Sequence, residues 1–366
     1  MRDATLITTQ AALDAAVFRM QGAGRLALDT EFMRERTYFP LLCLLQIATE
    51  SDCFLVDPLA GLDLRALHAL LAEPARLKIL HAARQDLEVL LLTGGTVPAP
   101  LFDTQVAAAL LGFAPQIGYA ELVARQLGHS IDKGQTRTDW SRRPLSPEQL
   151  AYAADDVHHL LTLHTDLAAA LRAKGRSDWA DEETAAYANP ALYRTDPADA
   201  WRRLKGLVRM KPQEQAAARA LTEWREGRAI ESDKPRGWIL TDDALLAIAT
   251  LAPDTLEALA GIRALPPAVV RNRGAELLQL LAAARSAPPV DSSDDVSSRR
   301  PTPEETARAA KFMQVVRDEA TALGVGPEIL ATRRDVEALA RGVRDNALTR
   351  GWRRLVIGEK LLAMQG

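Results

Sequence analysis

The chain of 366 residues carries 45 Lys and Arg against 48 Asp and Glu, a formal net charge of −3, and is 48% apolar. That length exceeds what one hydrophobic core usually organises, so two or three domains are expected. No apolar run approaches the roughly 20 residues that span a bilayer, and the opening "MRDATLITTQ" lacks the apolar segment of a secretory leader, so a cytoplasmic, membrane-free protein is expected.

The first elements alternate strand-like and helix-like patterns. "RLALDTEF", "LLCLLQIAT", "CFLVDP" and "ARLKILHA" are four short β-compatible runs, and the helical "RQDLEVLLL" follows the last of them. The two cysteines, Cys43 and Cys53, sit inside these runs and read as buried reduced thiols, with no disulfide framework or cysteine zinc site. From "DTQVAAALLGF" onwards nearly everything reads as helix, with Asp103 and Thr104 placed to cap the first one. Ser146, Pro147 and Gln149 in "LSPEQL" mark another helix start. A mixed sheet followed by packed helices predicts an α/β domain over residues 1–192, ending where "YANPALYRTDPADA" breaks the pattern.

Two all-helical segments follow, at residues 198–286 and 301–366. Between them residues 287–300 have the Pro, Ser and Asp content of a solvated linker. The net charge hides an uneven distribution: residues 1–200 hold 18 basic against 26 acidic side chains, and residues 201–289 hold 14 against 10. An acidic front suits cation binding, and basic rear segments suit an anionic partner.

Along a strand, side chains at i and i+2 share a face, so Asp29 and Glu31 converge while Thr30 turns away. Two adjacent carboxylates repel unless a cation lies between them, and hard ions such as Mg2+ or Mn2+ take oxygen ligands. Asp86, with Glu88 as a rival, lies on an apolar helix. Tyr152 and Asp156 are four apart on another helix, and Asp155 is three from the same tyrosine, so spacing alone leaves both pairs open.

The order of these segments resembles the three exonuclease motifs of the DEDD superfamily. The longer strings "LDTEFMRERTYFPLLCLLQIA", "LHAARQDLEVLL", "DKGQTRTDWSRRPLSPEQLAYAADDVHHLL" and "WREGRAIESDKPRGWIL" resemble the ribonuclease D family. The resemblance implies a ribonuclease H-like α/β exonuclease domain followed by two helicase-and-RNase-D C-terminal (HRDC) domains. By position it assigns four metal-binding acids to Asp29, Glu31, Asp86 and Asp156. It assigns the family's tyrosine to Tyr152, because Ala151 stands where the histidine branch has its histidine. His158 and His159 then read as packing or surface residues.

That family hydrolyses the 3′-terminal phosphodiester of RNA with two divalent ions, releasing 5′ nucleoside monophosphates. The implied substrates are structured RNAs with unpaired 3′ tails, especially tRNA precursors; no obligate protein partner is implied. Candidate RNA contacts are Thr30, Phe32, and the loop residues Lys133, Arg137, Arg142 and Arg143 around Trp140. Phe32 either stacks on a base or fills core. In the helical segments Arg202, Arg203, Lys205, Arg271 and Arg273 are candidate phosphate contacts.

Overall fold

The computed structural model describes residues 4–131, 134–135, 138–207, 210–286 and 301–365. The chain divides into two compact units: Met1–Met33, Leu42–Tyr193 and Arg300–Gly366 form the first, and Arg34–Leu41 with Arg194–Arg299 form the second. No helix among the described residues is long and apolar enough to cross a membrane.

Six strands build the sheet of the first unit: β1 (Ala4–Ile7), β2 (Arg25–Met33), β3 (Leu41–Ala48), β4 (Cys53–Val56), β5 (Leu77–Leu80) and β6 (Leu101–Asp103). Their spatial order is β1, β4, β3, β2, β5, β6. β1 runs parallel to β4, β4 antiparallel to β3, and β5 parallel to both β2 and β6, which gives the mixed sheet expected. The sequence reading contained β2 to β5 and missed β1 and β6, whose four and three residues are too short for a period of two to stand out.

Strand alternation divides the apolar side chains between two cores. Leu26, Leu28, Leu45, Ile47 and Phe54 pack beneath α1 (Gln10–Met20), α2 (Arg65–Ala72) and α3 (Arg84–Gly94). Ala27, Leu44, Ala48 and Leu55 face the other way, under α4 (Thr104–Leu110), α5 (Tyr119–Leu127), α6 (Pro147–His158), α7 (Leu160–Ala173) and α8 (Ser177–Ala185). Both cysteines are buried thiols, and no disulfide forms among the described residues.

Local chemistry fixes where these helices begin. Asp103 caps α4, accepting from the N–H groups of Gln105 and Val106 at 2.8 and 3.4 Å. Thr104 does not share that job: its hydroxyl donates to the Leu80 carbonyl at 3.1 Å. Ser146 and Gln149 form a reciprocal capping box at the start of α6 with Pro147 in the first turn, which pins the helix carrying Tyr152 and Asp156.

The second unit packs α9 (Pro212–Ser232), α10 (Arg236–Ile239), α11 (Asp242–Leu251), α12 (Leu256–Ala260) and α13 (Pro267–Ser286) around Leu221, Leu245, Ile248, Leu259 and Leu277. The segment 34–41 is part of this unit. The Tyr38 hydroxyl donates to Glu226 at 2.5 Å, and the Asp233 carboxylate accepts the N–H groups of Tyr38 and Phe39 at 2.9 and 3.0 Å.

The C-terminal helices α14 (Pro303–Leu323), α15 (Pro327–Leu330) and α16 (Arg333–Ala340) repeat the order of α9, α10 and α11. Their lengths are 21, 4 and 8 residues against 21, 4 and 10. The third helix of each set is capped by a threonine, Thr332 or Thr241. This segment shares the core of the first unit. Trp352 stacks on Trp179 of α8 at 4.4 Å and 12°, and its indole N–H donates to Glu183 at 2.8 Å. Glu182 accepts the Trp352 backbone N–H at 2.9 Å, and Arg176 donates to the carbonyls of Leu110 and Leu323 at 2.5 and 2.6 Å. The expected linker at 287–300 lies outside the described residues.

Candidate active site

Three elements of the first unit bring the acids together. β2 presents Asp29 and Glu31 on the face where Ala27 also points, and α6 lies across that face carrying Asp156. One carboxylate oxygen from each of Asp29, Glu31 and Asp156 lies within 4.8 Å of the others. Asp86, in the first turn of α3, stands beside this trio and adds its charge to it. Thr30, on the opposite face of β2, is buried and donates its hydroxyl to Asp86 Oδ1 at 2.5 Å. It is therefore taken up in orienting an acid and is withdrawn as a substrate contact.

Geometry also decides between the rival acids. Asp156 joins the trio and Asp155 does not; Asp155 instead raises the proton affinity of its neighbour. On α3 it is Asp86 whose charge acts on Asp29 and Glu31.

Crowding sets the electrostatics. Burial, then Asp156, Asp86 and Glu31, push the Asp29 carboxyl well above the usual carboxylate range. Burial and the charges of Asp156 and Asp86 raise Glu31 to about 8. Burial raises Asp86 to about 7 against the pull of the Thr30 hydrogen bond. Asp156 rises to about 7 through burial and Asp155, opposed by the hydrogen bond that the Tyr152 hydroxyl donates to it. Among the described residues, no lysine or arginine is a leading influence on any of the four. Four convergent oxygen donors without a cationic side chain among them are the donor set a hard dication takes, so the residues present fit a divalent metal.

A stability prediction follows from the direction of these shifts. Unfolded carboxylates titrate near about 4, whereas Glu31, Asp86 and Asp156 titrate at about 7 to 8 when folded, so between those values the folded state holds more protons. Their contribution is fully present below the unfolded value and is lost as pH rises through the folded one. In chelator the thermal midpoint is expected to fall from about pH 5 to about pH 8.5, and excess Mg2+ or Mn2+ is expected to recover most of the loss at the alkaline end. A midpoint that rises with pH in chelator, checked by calorimetry, would contradict the repulsion.

Residues around the acids hold them in place. Tyr152 packs against Trp140, ring centroids 6.0 Å apart. Trp140 is 2% exposed, a packing residue against Tyr152 and not an aromatic face open to RNA. Tyr119 marks the junction of α6 and α7, donating its hydroxyl to the Asp155 carbonyl at 3.0 Å and accepting the His159 N–H at 3.2 Å. His159 stacks on His129 at 5.2 Å and meets His158 edge-on, in line with the packing role expected for this pair.

Arg143 is a second correction. Its guanidinium makes two 2.6 Å bonds to the buried Asp57 and reaches the carbonyls of Cys43 and Trp140, leaving little to offer a phosphate. Arg143→Ala is expected to cost about 3 kcal/mol, because Asp57 would stay buried and unpaired, while exposed Arg142→Ala stays within about 0.5 kcal/mol. Urea unfolding measures both; an Arg143 variant of full stability that binds RNA poorly would restore the phosphate role. Lys133 and Arg137 lie outside the described residues. Phe32 is half-buried and belongs to neither core, contrary to the reading that it fills one. Arg202, Arg203, Lys205, Arg271 and Arg273 are all in the second unit, Arg202 paired with Asp199 and Arg273 with Glu276.

Two residues beside the acids escaped the sequence reading. Tyr119 had no local signal, since its partners are about 40 residues away. Gln46 did have one: it is the single polar side chain in the apolar run "LLCLLQIA". It is fully buried, with its amide nitrogen 3.4 Å from Asp29 Oδ2.

Comparison with known proteins places this geometry. Residues 4–172 match the 3′-5′ exonuclease family model, and residues 214–281 match the HRDC domain model. Ribonuclease D of Acidiphilium cryptum (strain JF-5) is 40% identical over 99% of this chain and 93% of its own length. The ribonuclease D of Gluconacetobacter diazotrophicus matches to the same extent, 40% over 99% and 93%. Among solved structures, Escherichia coli RNase D, an exoribonuclease involved in structured RNA processing, superposes with a TM-score of 0.88 at 30% identity, covering 99% of this chain and 98% of that one. The acid trio on β2 and α6, the flanking α3 carboxylate and a match running through both units lead to one conclusion: the chain belongs to the ribonuclease D family.

Proposed function

We propose that the protein is a metal-dependent 3′-5′ exoribonuclease that hydrolyses phosphodiesters from the 3′ end of structured RNA and releases 5′ nucleoside monophosphates. The observation that carries this reading is the convergence of Asp29, Glu31 and Asp156 within 4.8 Å, with Asp86 alongside, in a chain of this family. Those four acids would hold two divalent ions, Mg2+ or Mn2+, which would supply Lewis-acid stabilisation of the developing charge and acidify a water. Tyr152, whose hydroxyl bonds Asp156, would orient that water; a phenol with an ordinary pKa of about 10 is a poor base at neutral pH. Phe32, half-buried and outside both cores, serves as a stacking surface for the terminal base.

The second unit reads as an RNA-binding HRDC domain with Arg202, Arg203, Lys205, Arg271 and Arg273 as phosphate contacts, and Lys133, Arg137 and Arg142, in the sequence before α6, serve the same end. The shared helix order and threonine caps support α14 to α16 as a second HRDC-like module. Natural substrates on this reading are tRNA precursors with unpaired 3′ tails, in the cytoplasm.

The test follows a 5′-labelled RNA with an unpaired 3′ tail, in Mg2+, Mn2+ or chelator, with intact protein and with Asp86→Ala. A metal-dependent ladder shortening from the 3′ end, lost in the variant, is the expected result. RNA bound but left whole under every metal condition would make the protein a scaffold; faster trimming of a matching DNA would make it a DNA exonuclease.

A further inference from the structure

Gln46 lies at the centre of the sheet on β3, between β4 and the catalytic strand β2, and is paired in register with Leu55. Its neighbours in the strand are all buried and apolar: Leu44, Leu45, Ile47 and Ala48 are at most 2% exposed, and Gln46 itself is 0% exposed. Leu44 and Ala48, two residues to either side and on the same face, pack in the core that also contains Ala27, so Gln46 projects where Asp29 does. Its Nε2 donates to Asp29 Oδ2 at 3.4 Å, the long end of hydrogen-bonding range, and its Oε1 meets no partner among the described residues.

A buried amide with an unmatched carbonyl costs roughly 1–3 kcal/mol, and leucine or methionine would fill the same space without that cost. The sheet does not need the polarity, because strand pairing uses the backbone alone. Among the described residues, the only polar group the side chain reaches is the carboxylate of Asp29. An uncharged donor also has a property that lysine and arginine lack: it steadies a carboxylate without neutralising it, so the acid keeps its full charge for a dication.

We infer that Gln46 is a positioning residue for the acidic site, holding the Asp29 carboxylate in the orientation that takes a divalent ion. The inference rests on the metal-dependent reading above. Outer partners of ligating carboxylates change metal affinity by about 10- to 100-fold when removed, which sets the expected effect.

The experiment titrates Mn2+ into wild type, Gln46→Met and Gln46→Asn, reading bound ion by electron paramagnetic resonance, with thermal midpoints taken in chelator. Methionine keeps the volume and removes both polar atoms; asparagine keeps the amide and loses the reach. Both variants are expected to bind Mn2+ about 10- to 100-fold more weakly, with kcat falling more than KM changes, while the Gln46→Met midpoint in chelator is equal to wild type or higher. Wild-type Mn2+ affinity in both variants would overturn the positioning role and leave the metal reading standing. Wild type that binds no Mn2+ would overturn both. A variant whose lost affinity is matched by a lowered midpoint in chelator would show a packing role only.

Discussion

Asp29→Asn is expected to lower kcat/KM for RNA trimming by about 10³-fold or more and, in chelator, to raise the thermal midpoint. The first effect reflects the loss of about 4 kcal/mol of charge stabilisation when one of four converging carboxylates becomes a neutral amide of the same shape. The second has the opposite sign for the same reason. Asp156, Asp86 and Glu31 all act on Asp29 to disfavour its ionised form, so removing its charge relieves three repulsions at once. Function and stability therefore trade against each other at this side chain, as they do where a site is built for a ligand and not for the fold. Kinetics on labelled RNA and calorimetry with and without Mn2+ make the pair of measurements. A variant that is less active and also less stable in chelator would show Asp29 to be a structural acid, and a variant trimming at the wild-type rate would move the chemistry elsewhere.

Tyr152→Phe is expected to lower kcat by about 10²-fold while leaving Mn2+ affinity within about threefold, the pattern of a group that orients a reactant without ligating metal. The ring contact with Trp140 survives the substitution because phenylalanine keeps the same six carbons, so stability should barely move. What disappears is the hydroxyl that hydrogen-bonds Asp156. A fall in metal affinity as large as the fall in kcat would instead assign Tyr152 to holding Asp156 in place, and single-turnover rates measured at saturating Mn2+ separate the two.

Much of this site was legible because its geometry is local. Strand alternation puts Asp29 and Glu31 on one face, and the Ser146 capping box fixes the helix on which Tyr152 and Asp156 are four apart. What spacing alone left open depends on distant neighbours. The choice of Asp156 over Asp155 depends on where α6 crosses β2, and the character of Arg143 depends on Asp57, 86 residues earlier in the chain. Lys78 illustrates the same limit: a lysine in a strand reads as an exposed position, yet it is 0% exposed. Its ammonium donates to the carbonyls of Glu73, Arg76 and Ala99, and burial lowers it to about 8. Segment 34–41 was equally hidden, because nothing in "RERTYFPL" announces that its partners are Glu226 and Asp233.

The docking of Trp352 on α8 has a consequence for the order in which the protein is made. Glu182 and the Trp352 amide it receives are 170 residues apart, and at roughly 5–20 residues per second a ribosome needs on the order of 10–30 s to travel between them. For that interval Trp179, Glu182 and Glu183 lack the Trp352 partner, and before it ends the helices around Leu221 and Leu277, encoded in between, have all the described residues of their core. The nuclease unit, begun first, is thus the last to be finished.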